Sequence, residues 1–264
     1  SYPLPGVRDA EGYTFMGWST KPIQSVSPQY EAEEKITVNG NTDLYAVVFN
    51  RTTETDLTED QLPQVDIYKY KQVIFVGDSR TEFMENVLTG MGESATKNVK
   101  FVCSAGKGLD WFATTGWAQL YSIVQHDSNS ILSKKTAVIF NFGVNDLSKS
   151  ADYAEYYNWI APQLKSKGCE LYFMSVNPVN RLMLPNAGRA DRSEAAVRSF
   201  NEYMKANLSS AYTYIDMYSY LKSTGYSFAS DHYGTGTVDD GLHYTTRTYK
   251  RIFAKCMDSL RVPA

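Results

Sequence analysis

Three short phrases hold the residues whose types and spacing suit chemistry. The first is Val73-Ile74-Phe75-Val76-Gly77-Asp78-Ser79-Arg80, an apolar run broken by Gly-Asp-Ser. The run reads as a buried strand, so Ser79 falls at the C-terminal edge of a sheet, where open α/β folds bind ligands. The second phrase, Asn141-Phe142-Gly143-Val144-Asn145-Asp146, sets an amide just beyond another strand. The third, Asp239-Asp240-Gly241-Leu242-His243, sets carboxylates beside an imidazole. Ester hydrolysis needs an activated hydroxyl, a base, a group that orients the base and donors for the oxyanion. The three phrases supply one candidate for each.

Each candidate also has a plainer role. Ser79 stands where a strand passes into a helix, so backbone N–H groups surround its hydroxyl; a helix N-cap serine would stand there too. His243 follows Asp240 by three residues, which lie on one side of a turn, so the carboxylate fixes the tautomer while the second ring nitrogen faces the serine. The alternative is a surface-loop histidine. Of the two other histidines, His126 ends a predicted helix and reads as structural; His232, after Asp231 in a polar loop, is the fallback base. Asn145 either aims its NH2 at the oxyanion or holds a turn. Gly106 and Gly108, in Cys103-Ser104-Ala105-Gly106-Lys107-Gly108, end a second strand beside Ser79. Either one offers a backbone N–H and close approach, or else makes a plain turn.

The elements that position these phrases alternate. Strands are expected near 72–77, 99–103, 136–142, 169–175 and 212–216, as short β-rich runs with polar or glycine borders. Tyr249, Ile252, Phe253, Cys256, Met257 and Leu260 recur at helical spacing, as do Val197, Phe200, Met204 and Leu208. A third helix near 152–166 contains Pro162, which predicts a kink or an early break. Such a series makes a parallel sheet covered on both faces, with right-handed crossovers. In a flavodoxin-like order 2-1-3-4-5, the first and third strands are neighbours, and Ser79 and Asn145 face each other across the crevice.

Residues 1–50 differ in character. Gly12-Tyr13-Thr14-Phe15-Met16-Gly17-Trp18 is aromatic and glycine-punctuated, and Ile36-Thr37-Val38 leads through Asn39-Gly40-Asn41, a turn signal, to the strand Leu44–Phe49. We read a small β-rich module over 1–50, a polar linker over 51–69 with one helical turn around Thr58–Gln61, and an α/β domain over 70–264. The stretch Gly12–Ser19, closed by Thr42–Val47, resembles the Listeria-Bacteroides repeat of bacterial surface proteins. That resemblance implies an extracellular, multi-domain parent and a β-grasp-like module; Trp18 reads as a core anchor of the module, with sugar stacking as the alternative.

Gly77-Asp78-Ser79, the glycine pair, Gly143-Val144-Asn145-Asp146 and Asp240-Gly241-Leu242-His243 resemble, in order, the four consensus blocks of the SGNH (GDSL) hydrolase superfamily. The match spans about 70–262. It implies a three-layer α/β/α fold, Ser79 as nucleophile, Asp240 and His243 completing a triad, and an oxyanion hole from Ser79, Asn145 and a glycine N–H. Counting from the strand end favours Gly108, with Gly106 as the alternative. Arg80 departs from the family's leucine and is expected on the surface, or else in contact with an anionic or sugar group. Asp239 adds a second acid, but only Asp240 has the family's spacing. Asp78 is expected to hold the turn. Trp111, Trp117 and Trp159 are expected in packing roles, with Trp111 near the pocket.

Composition narrows the partners. With 43% hydrophobic and 21% charged residues, the chain is an ordinary globular sequence. A net charge of -3 gives no electrostatic case for nucleic acid. No apolar run approaches the about 20 residues of a membrane span, and no signal peptide opens this chain. The three cysteines, Cys103, Cys169 and Cys256, read as buried free thiols; no zinc spacing occurs, and no metal or cofactor is expected. The expected activity is ester hydrolysis on an acylated small molecule or polysaccharide, above all removal of acetyl or other short acyl groups from carbohydrate, by a secreted or surface-attached bacterial protein. A lipid esterase, an acyltransferase and a non-catalytic binding module on a hydrolase scaffold are the alternatives.

Overall fold

The computed structural model describes residues 1–22, 25–66, 69–126, 135–185, 191–229 and 238–260. The chain divides into two compact units. One comprises Ser1–Asp56, Asn177–Ser199 and Met217–Thr248; the other comprises Leu57–Val176, Phe200–Asp216 and Tyr249–Ala264.

The first unit begins with β1 (Tyr2–Pro3), β2 (Tyr13–Ser19), β3 (Lys35–Ile36) and β4 (Tyr45–Asn50). β1 pairs with β3 and β2 with β4, both antiparallel. The sequence pointed to a turn joining 36–38 to the following strand; instead β4 lies on β2. β2 offers a longer apolar partner, with Thr14, Phe15 and Met16 buried, whereas Val38 is exposed. Trp18 is half-buried; it packs edge-on to Phe15 at 5.4 Å, and its indole N–H donates to the Pro5 carbonyl at 2.8 Å. These N-terminal residues meet later chain within the same unit: the buried Thr14 hydroxyl donates to the Tyr226 carbonyl at 2.7 Å, and the Lys222 ammonium donates to the Met16 carbonyl.

The second unit holds five parallel strands: β5 (Tyr70–Gly77), β6 (Val99–Cys103), β7 (Lys135–Asn141), β8 (Cys169–Met174) and β9 (Tyr212–Ile215). Their order is β6-β5-β7-β8-β9, the flavodoxin-like order expected from the sequence. Val73, Ile74, Phe75 and Val76 are all essentially unexposed, so β5 is buried on both faces, as a central parallel strand must be. The register separates the faces. Phe75 lies opposite Ile139, and Phe140 opposite Val76. Phe75 meets Phe253 of α8 (Thr246–Ser259) at 5.8 Å, while Phe140 meets Tyr157 of α5 (Ser150–Lys165) at 4.8 Å. Successive side chains alternate across a strand, so helices cover both sides in a three-layer α/β/α fold.

Several details differ from expectation. α5 runs through Pro162 to Lys165 and does not break early. Trp159 on α5 is 58% exposed and meets Tyr156 at 5.6 Å outside the core, because the buried stripe is carried by Tyr153, Tyr157, Ile160 and Leu164. The expected turn after Thr58 is present as a 3-10 helix over Glu59–Gln61 closed by a capping box. All three cysteines are free; Cys169 and Cys256 are buried, and the half-buried Cys103 thiol donates to Glu85 at 3.3 Å. Among the described residues, no helix is long and apolar enough to cross a membrane.

Candidate functional site

The serine phrase lies in the second unit. Gly77 ends β5 because a side chain does not fit there: a Cβ would stand 1.9 Å from the Thr81 hydroxyl and 2.9 Å from the Asn141 carbonyl. Asp78 then caps α1 (Ser79–Met91), its Oδ1 accepting the Arg80 N–H at 3.0 Å. The cap role thus belongs to Asp78, and Ser79 is the first helical residue. Ser79 is buried to 6% exposure. Arg80 is also buried, at 3%, which corrects the surface position expected for it.

The glycine loop follows β6, the strand beside β5. The Ser104 N–H donates to the Gly77 carbonyl at 3.2 Å, and the Ala105 N–H donates to Glu82 Oε2 of α1 at 2.6 Å. Gly106 has φ of 69°, the left-handed turn conformation that suits glycine. Gly108 is extended and caps α3 (Leu109–Trp111). There a Cβ would meet the Asp146 carboxylate at 2.3 Å. The two glycines therefore differ: one makes the turn, the other makes room for an acid.

That acid ties the second loop to the third. Asp146 Oδ2 accepts the Leu109 N–H at 2.9 Å, and Oδ1 accepts the Tyr153 hydroxyl at 2.7 Å. Asn145, just beyond β7, donates its amide N–H to the Lys107 carbonyl at 2.8 Å. Ser79, Gly108 and Asn145 thus follow the ends of three adjacent strands, with the Gly and Asn loops stitched at two points. Asp146 belongs to the sequence phrase, but its clamping role is visible only with Gly108 and Tyr153 in place. Trp111 is half-buried, its ring 6.0 Å from Phe142.

The acid–histidine phrase lies in the first unit. His243 Nδ1 and Asp240 Oδ2 are 2.6 Å apart, and both groups are buried. Asp240 Oδ1 accepts the N–H groups of Leu242 at 2.9 Å and His243 at 2.8 Å. Burial pushes the Asp240 carboxyl up, but the His243 ring and these two N–H groups outweigh it and hold its pKa below the usual value. Gly241 has φ of 65°, and its carbonyl accepts the Asn180 N–H at 2.8 Å. His243 is held by its own carbonyl, which accepts the Ala229 N–H at 2.9 Å. Asp239 turns to Arg51 at 2.6 Å, so the ambiguity between the two acids is resolved in favour of Asp240 as the histidine's partner. His232 lies outside the described residues.

Residues 73–256, more than half of the chain, match the profile described as GDSL-like Lipase/Acylhydrolase. No curated protein sequence matches. Among solved structures, the chain is similar to a putative acylhydrolase from Bacteroides fragilis, with 16% identity, a TM-score of 0.47 and coverage of 76% of this chain and 92% of that one. It is similar to a putative SGNH hydrolase from Slackia heliotrinireducens at 11% identity and TM-score 0.49, covering 73% and 100%. It is also similar to the catalytic domain of a peptidoglycan O-acetyltransferase from Streptococcus pneumoniae at 15% identity and TM-score 0.41, covering 72% and 92%. The ordered motifs, the strand order and the profile match agree, and the chain belongs to the GDSL-like lipase/acylhydrolase family.

Proposed function

We propose that the protein is a serine ester hydrolase that removes acetyl or other short acyl groups from carbohydrate. In this reading His243 takes the proton of Ser79, whose oxygen attacks the acyl carbonyl. Asp240 holds the imidazole in its tautomer and stabilises the imidazolium that forms. The oxyanion accepts N–H bonds from Ser79, Gly108 and the Asn145 amide. The proton then passes from His243 to the departing sugar oxygen. Water, deprotonated by the same histidine, cleaves the acyl-enzyme and returns the serine.

The observation that carries this reading is the buried Asp240–His243 bond of 2.6 Å in a chain of the acylhydrolase family. A binding module has no use for an imidazole held by a carboxylate that is itself held ionised. Asp146 supports Gly108 over Gly106 as the loop donor, since its carboxylate fixes the next peptide through the Leu109 N–H. The sequence has no long hydrophobic insertion to lid an acyl chain, which weighs mildly against a lipid ester. Resemblance of residues 12–47 to a surface repeat supports a carbohydrate substrate met outside a bacterial cell.

The test is turnover of p-nitrophenyl esters of increasing chain length, followed by acetylated polysaccharide. Preference for acetate with acetate release from the polysaccharide supports the proposal. Preference for long acyl chains assigns a lipid esterase, acyl transfer to an added sugar without net hydrolysis assigns a transferase, and silence on every ester assigns a binding module.

A further inference from the structure

The acid–histidine phrase is held by residues far away in sequence. Arg51, just after β4, directs one guanidinium nitrogen, Nη2, at both Asp9 (2.5 Å) and Asp239 (2.6 Å). Its Nε donates to the Thr14 hydroxyl at 2.9 Å. Asp9 Oδ1 in turn accepts the Phe15 N–H at 3.0 Å and the Asn180 side-chain N–H at 2.9 Å. Asn180 closes the ring, because its backbone N–H holds the Gly241 carbonyl. Residues 239 and 241 of the phrase are thus tied, through Arg51 and Asn180, to one buried carboxylate near the N-terminus.

The other side is held similarly. Glu54, 5% exposed, accepts the Ser227 hydroxyl at 2.6 Å and the Thr248 hydroxyl. Ser227 pairs through its carbonyl with the Thr245 N–H at 3.0 Å. Phe228 and Tyr244 stack at 5.3 Å beside His243. The segment that carries the imidazole is therefore flanked by two anchors three residues apart, Arg51 and Glu54.

We infer that Arg51 is a positioning residue for the acid–base pair: by gripping Asp239 it fixes the start of the turn in which Asp240 presents its carboxylate to His243. The inference rests on the proposed roles of Asp240 and His243. Its physical basis is preorganisation. Asp240 uses one oxygen on two backbone N–H groups of its own turn and the other on the imidazole, so the ring's direction follows the turn's direction. A turn freed at its first residue lets the imidazole sample orientations that do not face its proton partner. Small misplacements of this kind reduce turnover more than binding.

The experiment compares Arg51→Met, Asp239→Asn and the double variant on a short-chain ester, with His243→Ala as control. If Arg51 acts through Asp239, each single variant lowers kcat by about 10-fold with KM within about twofold, and the double variant loses no more than either single one. Arg51→Lys, which keeps a cation for the two acids but loses the Nε bond to Thr14, recovers part of kcat. The inference is overturned if Arg51→Met lowers only the melting temperature and leaves kcat intact, or if the two kcat losses multiply, since Arg51 would then act on Asp9 and Thr14 alone. Should Arg51→Met fail to fold, Asp239→Asn alone decides, because it leaves the Arg51–Asp9 pair in place: unchanged kcat overturns the inference. Full activity of His243→Ala would instead remove the underlying acid–base reading.

Discussion

The serine phrase and the acid–histidine phrase are held in place by different means. Around Ser79, support comes from the motif phrases themselves and their near neighbours: Gly77 and Asp78 shape the serine turn, Glu82 holds the glycine loop, and Asp146 joins Gly108–Leu109 to Asn145. Around His243, the motif supplies only the pair and its turn. The frame comes from Asp9, Arg51 and Glu54, which precede that phrase by well over a hundred residues. Parallel strand ends are brought together by the sheet, so short loops beside them can stitch to one another. A loop that no strand delivers must be fastened from elsewhere, and here the N-terminal segment does so.

The comparison is broken most directly by removing the two groups proposed to react. Ser79→Ala and His243→Ala should each lower kcat by on the order of 10⁶-fold, and the double variant should be no worse, because groups acting as one unit lose their effect together. Multiplying losses, measured with a short-chain ester, would mean that Ser79 and His243 do not act on one bond. Asn145→Ala should cost ~10²–10³ in kcat without loss of fold, the usual effect of deleting one oxyanion donor. Wild-type turnover by that variant would remove Asn145 from the hole.

Gly108→Ala sharpens the account of the stitched loops. Its Cβ would be 2.3 Å from the Asp146 carboxylate, which must then shift and loosen its bond to the Leu109 N–H. About 10–100-fold loss of kcat is expected, whereas Gly106→Ala should chiefly lower the melting temperature through its left-handed backbone. The reverse pattern would hand the oxyanion role to Gly106.

The smallest effect lies at the opposite edge of the sheet. Burial pushes the Glu170 carboxyl up, but the Lys135 bond at 2.6 Å and the Tyr70 hydroxyl outweigh it and hold its pKa at about 2, against 4.5 when free. A depressed carboxyl stabilises the fold above its unfolded value and loses that contribution as pH falls through the folded one. Glu170→Gln should therefore lower the urea midpoint at neutral pH, with the gap to wild type closing as pH falls from 4.5 towards about 2. Catalysis should be untouched, and a gap that widens in acid would contradict the assignment.

How far the sequence reveals this molecule follows the same division. The five strands and their order were legible because Val73–Val76 and its counterparts are short apolar runs with sharp borders, and the motif residues mark their ends. The partner of β4 was not, since a two-residue strand such as Lys35–Ile36 leaves little periodicity and Asn39-Gly40-Asn41 is a turn signal without a hairpin. Trp159 misled because an aromatic residue in a helix is usually packed, while here tyrosines carry the buried stripe. Asp146 was in view without its role. Arg51 carried no signal at all, because a lone arginine after a strand shows nothing of an acid far along the chain.

The central claim is that one alcohol is activated by one imidazole, and covalent labelling tests it most directly. A fluorophosphonate probe, with the modified peptide read by mass spectrometry, should mark Ser79 alone in the wild-type protein and should fail to do so in His243→Ala. Labelling of another residue, or undiminished labelling of Ser79 without His243, would contradict the account.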